Sequence, residues 1–370
     1  MVFDNTALDY YAVAFTLSAL FAFSRVPHQV TRFSDNESTV VFRRESSATS
    51  LLSNGSVTSA DPDDKFVSLC PVNLDGRRLG NQLFNFAAMM YVAELTGRRV
   101  VMPHFYLQGD GSGNGGWIDR WFELPSVKIV DEVVPRLCPC RNVTERRPLA
   151  FERSLLRATL ESDHTKTLLT CGWFQSWRYA AGIDGGQSLR RQLIWRPEVT
   201  TAVRRFLAGH RPAGWNSTVQ YARVGVHVRV GDLLDRRKLA FGYTIPGRGY
   251  FRRAIAFFMR HYGRNATRVQ FVVTSDDVGW TKTHLRLDQI VAGYEQSVNL
   301  VYSSSTDAGF DLALLSACDD VIMSTGTYGW WASWLAAGKT VYYRRWPRRR
   351  SPLDAAFNRR DFFPSRWIGL

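Results

Sequence analysis

Three short clusters of polar residues in the second half of the chain have the types and spacing to do chemistry. His227, Arg229 and Asp232 sit at the end of the apolar run YARVGVHVRV. Ser275, Asp276 and Asp277 close VQFVVTS, and Ser324, Thr325 and Thr327 follow DVIM and open a helical pattern. An arginine at a strand end can offer its planar fork to a diphosphate and bond it at two points. Hydroxyls ahead of a helix add donors to the first-turn amides, which form a ready anion site; they can equally serve as N-caps. Asp276 could accept hydrogen bonds from the ribose or base of a nucleoside. Far upstream, the loop Asp75-Gly-Arg-Arg-Leu-Gly80 leads through Asn81 and Gln82 into a long helical pattern, so Gly80 and Asn81 add backbone donors from a second region. That loop lacks the lysine and spacing of a P-loop, which makes ATP hydrolysis a poor fit. Taken together, the clusters describe a nucleoside-diphosphate cleft between two domains.

The elements that must position these groups are legible from Tyr221 onward. Apolar runs YARVGVHVRV, VQFVVTS, VNLVY, DVIMS and TVYY alternate with helical patterns over 250–262, 284–295, 310–317 and 328–337. Continuous apolar strands alternating with helices predict a parallel sheet covered on both faces, with ligands beyond the carboxyl ends of its strands. Upstream, FVSLCPV reads as a strand and residues 81–98 as a helix. Leu83, Phe86, Ala87, Met90 and Leu95 lie near one face of that helix, Gly97 stops it, and a strand follows at 100–102. The glycine-rich stretch 110–116 reads as a long loop of the kind that carries function. For Trp173, Phe174, Trp177 and Tyr179 two readings stand, core packing and a stacking platform for sugar rings.

The chain has 370 residues, Lys+Arg 47 against Asp+Glu 33 and a net charge of +14, so it is basic throughout. Hydrophobic content of 45% and aromatic content of 13% exclude global disorder. Arginines gather near the C-terminus at Arg344, Arg345, Arg348, Arg349, Arg350, Arg359 and Arg360. That charge is either a solvated face or an attraction for an anionic ligand. No zinc-finger spacing, RNP signature or basic zipper accompanies it, so no nucleic-acid partner is expected. Five cysteines are too few for a disulfide-built scaffold. In an oxidising compartment Cys70, Cys138, Cys140, Cys171 and Cys318 would pair and leave one over, and none has a metal-ligand pattern with nearby histidines.

Residues 10–23, YYAVAFTLSALFAF, are uncharged and mostly apolar, and fall short of a comfortable bilayer span. They fit an uncleaved signal-anchor, a signal-peptide core or a buried helix. Asp4 and Asp9 before the run, with Arg25 and Arg32 after it, oppose the positive-inside preference for a cytosolic N-terminus. The following stretch to residue 65 is rich in Ser, Asn, Thr and Asp and reads as a flexible stem. An Asp-x-Asp at Asp61 and Asp63 falls within it, away from the polar clusters. Glycosylation sequons at Asn36, Asn54, Asn142, Asn216 and Asn265 are compatible with lumenal exposure.

Several longer motifs carry a family resemblance: RLGNQLFNFA (78–87), GWFQSWRY (172–179), VGVHVRVGD (224–232), FVVTSDD (271–277), DLALLSACDDVIMSTGTYGWWASWL (311–335) and the closing WIGL. Over residues 66–370, and in the family's order, the chain resembles the animal-type galactoside α-1,2-fucosyltransferases. The resemblance implies an α/β fold of two Rossmann-like domains of the glycosyltransferase B type. An acceptor-side domain would span 66–207 and a GDP-fucose-binding domain 208–370, preceded by a short tail (1–9), a signal-anchor (10–24) and a stem (25–65). It implies transfer of fucose from GDP-fucose, with inversion, to the 2-hydroxyl of a terminal β-galactoside, without a metal or prosthetic group. It also implies a single-pass type II Golgi membrane protein with its catalytic part in the lumen.

By the same resemblance, His227, Arg229 and Asp232 match a His-x-Arg-Arg-x-Asp motif whose first arginine reaches the donor's phosphates. Asp276, Ser324, Thr325, Thr327, Gly80 and Asn81 complete the candidate donor site. The chain departs at Val230, where the family usually has a second arginine, and a weak or inactive GDP- or glycan-binding relative is the alternative that this raises. Inversion needs a base for the acceptor proton. His227 and Asp232 are the nearest candidates, and each could equally hold the loop.

Overall fold

The computed structural model describes residues 65–70, 78–103, 118–130, 139–153, 165–212, 214–215, 220–263, 267–294 and 297–370. The tail, anchor and stem up to residue 64, residues 75–77 of the Asp75–Gly80 loop, the glycine-rich stretch 110–116, Cys138 and the sequons at Asn36, Asn54, Asn216 and Asn265 lie outside the described residues. Among the described residues no helix is long and apolar enough to cross a membrane.

Two parallel sheets organise the chain. The first contains β1 (Phe66–Leu69), β2 (Arg99–Pro103), β3 (Lys128–Val130), β4 (Cys140–Thr144) and β5 (Thr167–Cys171), in the order β3-β2-β1-β5-β4. The second contains β6 (Tyr221–Val228), β7 (Arg268–Ser275), β8 (Val298–Tyr302), β9 (Asp320–Met323), β10 (Thr340–Tyr342) and β11 (Ile368–Gly369), in the order β11-β10-β9-β6-β7-β8. Strand β6 lies between β9 and β7, with His227 in register with Met323 on one side and Thr274 on the other. From β6 the chain winds outward through β7 to β8, then returns past β6 to build β9, β10 and β11. That reversal opens a crevice at the carboxyl ends of β6, β7 and β9. The three polar clusters of the sequence meet there.

Helix α1 (Leu79–Thr96) closes at Gly97, which adopts a left-handed conformation (φ 65°). It is buried on most of its faces because it lies between the two sheets. Its Phe84 packs against Trp330 and Trp331 of α4 (Gly326–Ala336) at centroid distances of 4.6 and 5.1 Å. One apolar cluster therefore runs through both halves, and a second packs on the other face of the second sheet. Helices α2 (Arg248–Gly263) and α3 (Ala308–Ser316) lie close to their predicted positions. The predicted helix over 284–295 is instead broken. A short helical turn at Val278–Trp280 passes into a wider turn, Thr281–Leu285, and a new helical turn starts at Leu287 after the left-handed Arg286 (φ 47°). Leu285 and Leu287 are both fully buried, and residues two apart point to different sides of a continuous α-helix. Breaking the chain at Arg286 lets both reach the core.

The C-terminal segment returns to the first half. Asp361 Oδ1 accepts from Arg178 Nε at 2.9 Å, Asp361 Oδ2 accepts the Phe151 N–H at 3.1 Å, and Trp177 Nε1 donates to the Arg360 carbonyl at 2.8 Å. The aromatic cluster divides accordingly. Phe174 and Tyr179 are core residues in edge-to-face contact at 5.4 Å, Trp177 ties the two halves, and Trp173 is half-buried. Cys70 and Cys171 form a disulfide that joins the ends of neighbouring strands β1 and β5. Cys140 is also disulfide-bonded, and Cys318 is a buried thiol.

Candidate active site

Arg229 leaves the end of β6 with its side chain 16% exposed. Its backbone N–H donates to Ser324 Oγ at 3.0 Å, tying the end of β6 to the end of β9. Its guanidinium lies over the Tyr243 ring at 5.6 Å and bonds Asp232 through Nη2 at 3.0 and 3.1 Å and through Nε at 3.3 Å. The other face of the guanidinium approaches the start of α4. Gly326 there has φ 88°, and a Cβ on it would run into Arg229 Nη1. Only glycine satisfies both demands.

Asp232 is the hub of the charges. Besides Arg229 it pairs with Lys238, and with Arg78, the residue that precedes α1 in the other half. Burial pushes its carboxyl up, but the Arg229 charge and the hydrogen bonds from Arg78, Arg229 and Lys238 outweigh burial and hold it well below the usual carboxylate range. Three cations around one carboxylate leave that cluster with a surplus of two positive charges, offset in part by the Asp276 carboxylate that bonds the same loop, before any helix dipole is added.

The start of α4 supplies that dipole. Thr325 occupies the N-cap position, yet its side chain makes no capping bond; its hydroxyl is fully buried and has no hydrogen-bond partner among the described residues. Ser324 accepts the Arg229 N–H and sits 3.1 Å from Nδ1 of His227. His227 is 4% exposed, and burial, with Arg229 beside it, lowers its pKa to about 3. It is neutral and lies behind Arg229 rather than open to the crevice.

The first half contributes through α1. Gly80 packs against the start of α4 so closely that a Cβ would lie 2.7 Å from the Tyr328 nitrogen. Asn81 Oδ1 accepts from Thr327 Oγ1 at 2.9 Å and from Gln175 Nε2 at 3.0 Å. Two helix N-termini, one from each half, thus converge at the place where the cations gather, which suits a multiply charged anion. Asp276 is exposed, and its Oδ1 accepts the Val230 N–H at 2.8 Å, so it holds the loop from Arg229 to Asp232. Ser275 and Asp277 serve their own turn: Ser275 Oγ accepts the Asp277 N–H and Asp277 Oδ1 accepts the Trp280 N–H. Val230 points into the apolar core of the second sheet, fully buried.

The structure brings His227, Arg229, Asp232, Ser324, Thr325, Thr327, Gly80 and Asn81 to one place, with Asp276 behind the loop. Sequence reasoning missed the side chains of Arg78 and Lys238. Arg78 stood in a recognised loop, but only its backbone neighbours drew attention. Lys238 lies on a short helical turn, Arg236–Phe241, whose pattern gave no signal. Among the described residues no group of three or more His, Cys, Asp or Glu could hold a metal ion.

Residues 187–370 match the family model for Glycosyl transferase family 11. Galactoside alpha-(1,2)-fucosyltransferase 1 of Rattus norvegicus is 27% identical over 298 residues, 80% of this chain and 71% of the relative. Galactoside 2-alpha-L-fucosyltransferase SEC1 of Bos taurus is 24% identical over 308 residues, 81% and 73% of the two chains. The chain belongs to glycosyl transferase family 11. It is a glycosyltransferase, and the crevice is the place where both of its halves meet. Two solved structures share its fold at low identity. The POFUT1 apo-form has a TM-score of 0.51 and 13% identity, covering 77% of this chain and 99% of POFUT1. A variant of Arabidopsis thaliana FUT1 in complex with GDP has a TM-score of 0.50 and 14% identity, covering 81% and 75%. In this family member the matched region holds β6, Arg229, Asp232 and all of α4, whereas Arg78, Gly80 and Asn81 lie upstream of it.

Proposed function

We propose that the protein transfers fucose from GDP-fucose to the 2-hydroxyl of a terminal β-galactoside, with inversion at the fucose anomeric carbon. Relatives named as galactoside alpha-(1,2)-fucosyltransferases support the reaction. The observation that carries the donor assignment is the buried, unpartnered Thr325 hydroxyl beside Arg229 at the start of α4. A buried hydroxyl without a partner is costly, and a phosphate oxygen is the acceptor it lacks.

In this reading the acceptor oxygen attacks the anomeric carbon from the face opposite the diphosphate, and the bond from that carbon to the β-phosphate oxygen breaks. Negative charge grows on the departing GDP. Arg229, the surplus charge around Asp232 and the α4 dipole stabilise it in place, with no metal required. His227 and Asp232 act as positioning residues, His227 through Ser324 and Asp232 through its bonds to Arg229. The acceptor hydroxyl loses its proton to solvent water as its oxygen bonds the anomeric carbon, rather than to His227, which is enclosed, or to Asp232, whose carboxylate is saturated with cations. We also propose the signal-anchor and the lumenal Golgi placement. Asn142, exposed on edge strand β4, would then be open to glycosylation.

The test is GDP release by the purified protein given GDP-fucose, with and without a β-galactoside acceptor and EDTA. Acceptor-dependent, EDTA-resistant release is expected. Folded protein that binds GDP but releases none from the donor, with any β-galactoside, would instead support a binding-only relative.

A further inference from the structure

At the edge of the first sheet, beyond the carboxyl ends of β4 and β5, lies a cavity of about 500 Å³ that the donor crevice does not use. That volume falls in the range of small-ligand sites, roughly 300–1,000 Å³. Its charged wall is the loop after β4, which carries Arg146, Arg147 and Arg153. All three side chains are exposed, and among the described residues none of their guanidiniums has an ion pair or a hydrogen bond. The cavity's fourth arginine, Arg178, is committed to Asp361 at 2.9 Å and lies over the Trp177 ring at 4.8 Å.

Both carboxylates in the wall are already engaged elsewhere. Asp361 serves Arg178, the Phe151 N–H and Asn358 Nδ2. Glu152 turns Oε1 to the backbone N–H groups of Arg146 and Arg147, and its own N–H donates to Tyr179 Oη at 3.2 Å. These bonds brace the loop from Arg146 to Glu152, so the charges of Arg146 and Arg147 are presented on a backbone held in place. Preorganisation of this kind favours binding because little order remains to be imposed.

Two further observations specify the ligand. Glu152 is 5% exposed, and its Oε2 is buried with no hydrogen-bond partner among the described residues, so a hydroxyl donor is what that wall lacks. Phe151 contributes a half-buried ring, held by Tyr179 at 5.0 Å and with the Arg178 guanidinium 5.8 Å over it, whose remaining open part is apolar surface of the kind that sugars cover. Anion, hydroxyl donor and apolar face together describe an acidic saccharide. The segment from Gly172 to Arg178 also connects the two places: Arg178 lines the cavity, while Gln175 donates to Asn81 at the crevice.

We propose that this cavity binds the carboxylate or sulfate of an acidic saccharide that forms part of the acceptor, an inference that rests on the transfer reading above. The guanidiniums of Arg146, Arg147 and Arg153 hold the anion, and Glu152 and Phe151 hold the ring that bears it.

The experiment is calorimetric titration of the purified full-length protein, without donor, using a sialylated or sulfated β-galactoside, neutral lactose, inorganic sulfate and GDP. The acidic saccharides should bind about tenfold more tightly than lactose at roughly 0.1 M salt, with the advantage shrinking as salt rises. Arg146→Ala/Arg147→Ala/Arg153→Ala should erase the advantage while GDP affinity, the control for an intact fold, is unchanged. The single reversal Arg153→Glu should shrink it too. Equal binding of acidic and neutral sugars, or an advantage that survives both variants, would overturn the proposal. Inorganic sulfate binding as tightly as the saccharides would reduce the cavity to a simple anion site and also overturn it. Because the titration needs no turnover, a failure of fucosyl transfer would be seen separately in the GDP-release assay.

Discussion

In the crevice, Arg229, Lys238 and Arg78 share the carboxylate of Asp232, whereas at the edge of the first sheet Arg146, Arg147 and Arg153 make no ion pair among the described residues. Enclosure accounts for the difference at Arg229 and Lys238, whereas Arg78, 65% exposed, joins the same carboxylate from the surface. Arg229 and Lys238 keep only 16% and 15% of their side chains exposed, so each needs a counter-charge in place of water. Water itself can solvate the exposed edge arginines, and a partner there would add little. Charges in the crevice are therefore placed before any ligand arrives, and a ligand must make use of a fixed geometry. Charges at the edge are available to any anion that fits the cavity between them.

Breaking the crevice should cost most. Arg229→Ala removes the centre of the charge network and leaves Asp232 short of its main partner. GDP affinity should fall by about 100-fold, the scale for truncating an enclosed charge pair, and transfer should drop below detection. Calorimetry with GDP and the GDP-release assay read the two effects. Wild-type turnover would remove Arg229 from its proposed role.

Val230→Arg comes next. Its side chain would enter the apolar core of the second sheet, so we expect a loss of about 2–4 kcal/mol in denaturant unfolding and no gain in transfer. A stable variant with faster turnover would instead favour the weak-relative reading, in which the family's second arginine is the missing part.

The pH dependence of stability sharpens the same contrast. The buried His227 has a folded pKa of about 3 against an ordinary value of 6.5, so below pH 6.5 the unfolded chain binds a proton that the folded one refuses. Its contribution is complete above that pH and is lost as pH falls toward 3. His227→Gln should flatten this limb of the unfolding curve, provided the variant still folds as judged by circular dichroism. Asp232 is likewise depressed, so its contribution is complete above its ordinary carboxylate range and is lost only in stronger acid.

Smaller effects separate binding from stability. Thr325→Val keeps the shape and removes a hydroxyl that bonds nothing among the described residues. Thermal stability should be unchanged or slightly raised, while GDP affinity falls about three- to tenfold, the worth of one hydrogen bond. Equal losses in both would make Thr325 a purely structural residue. Smallest of all, alanine at Arg146, Arg147 and Arg153 should leave unfolding free energy within about 0.5 kcal/mol of wild type. A larger drop would mean that these arginines support the loop.

The sequence was most informative where apolar runs were continuous and chemistry stood at their ends. The runs through Val226, Val272 and Ile322 marked parallel strands, and the residues just beyond them marked a site. Helix-period reasoning failed at 284–295, because Leu285 and Leu287 both had to be buried and only the core they enter reveals that demand. It also passed over Lys238 and the side chain of Arg78. A cation becomes part of a site through the carboxylate it meets, and Asp232 lies 154 positions from Arg78.

Local order was therefore written into the chain itself: which segments are strands, where α1 stops at Gly97, and that hydroxyls precede α4. The identity of Arg229 as a phosphate-binding candidate was equally local, since it follows from the chemistry of a guanidinium at a strand end. Tertiary structure decided what each group became. It enclosed His227 and kept it neutral, gathered three cations on one carboxylate, left the Thr325 hydroxyl without a partner, and turned Val230 inward. It also left three arginines around a cavity without an ion pair among the described residues. Charge and hydrogen-bond energies depend on enclosure and on neighbours distant in the sequence, and these exist only once both sheets have packed around α1 and α4.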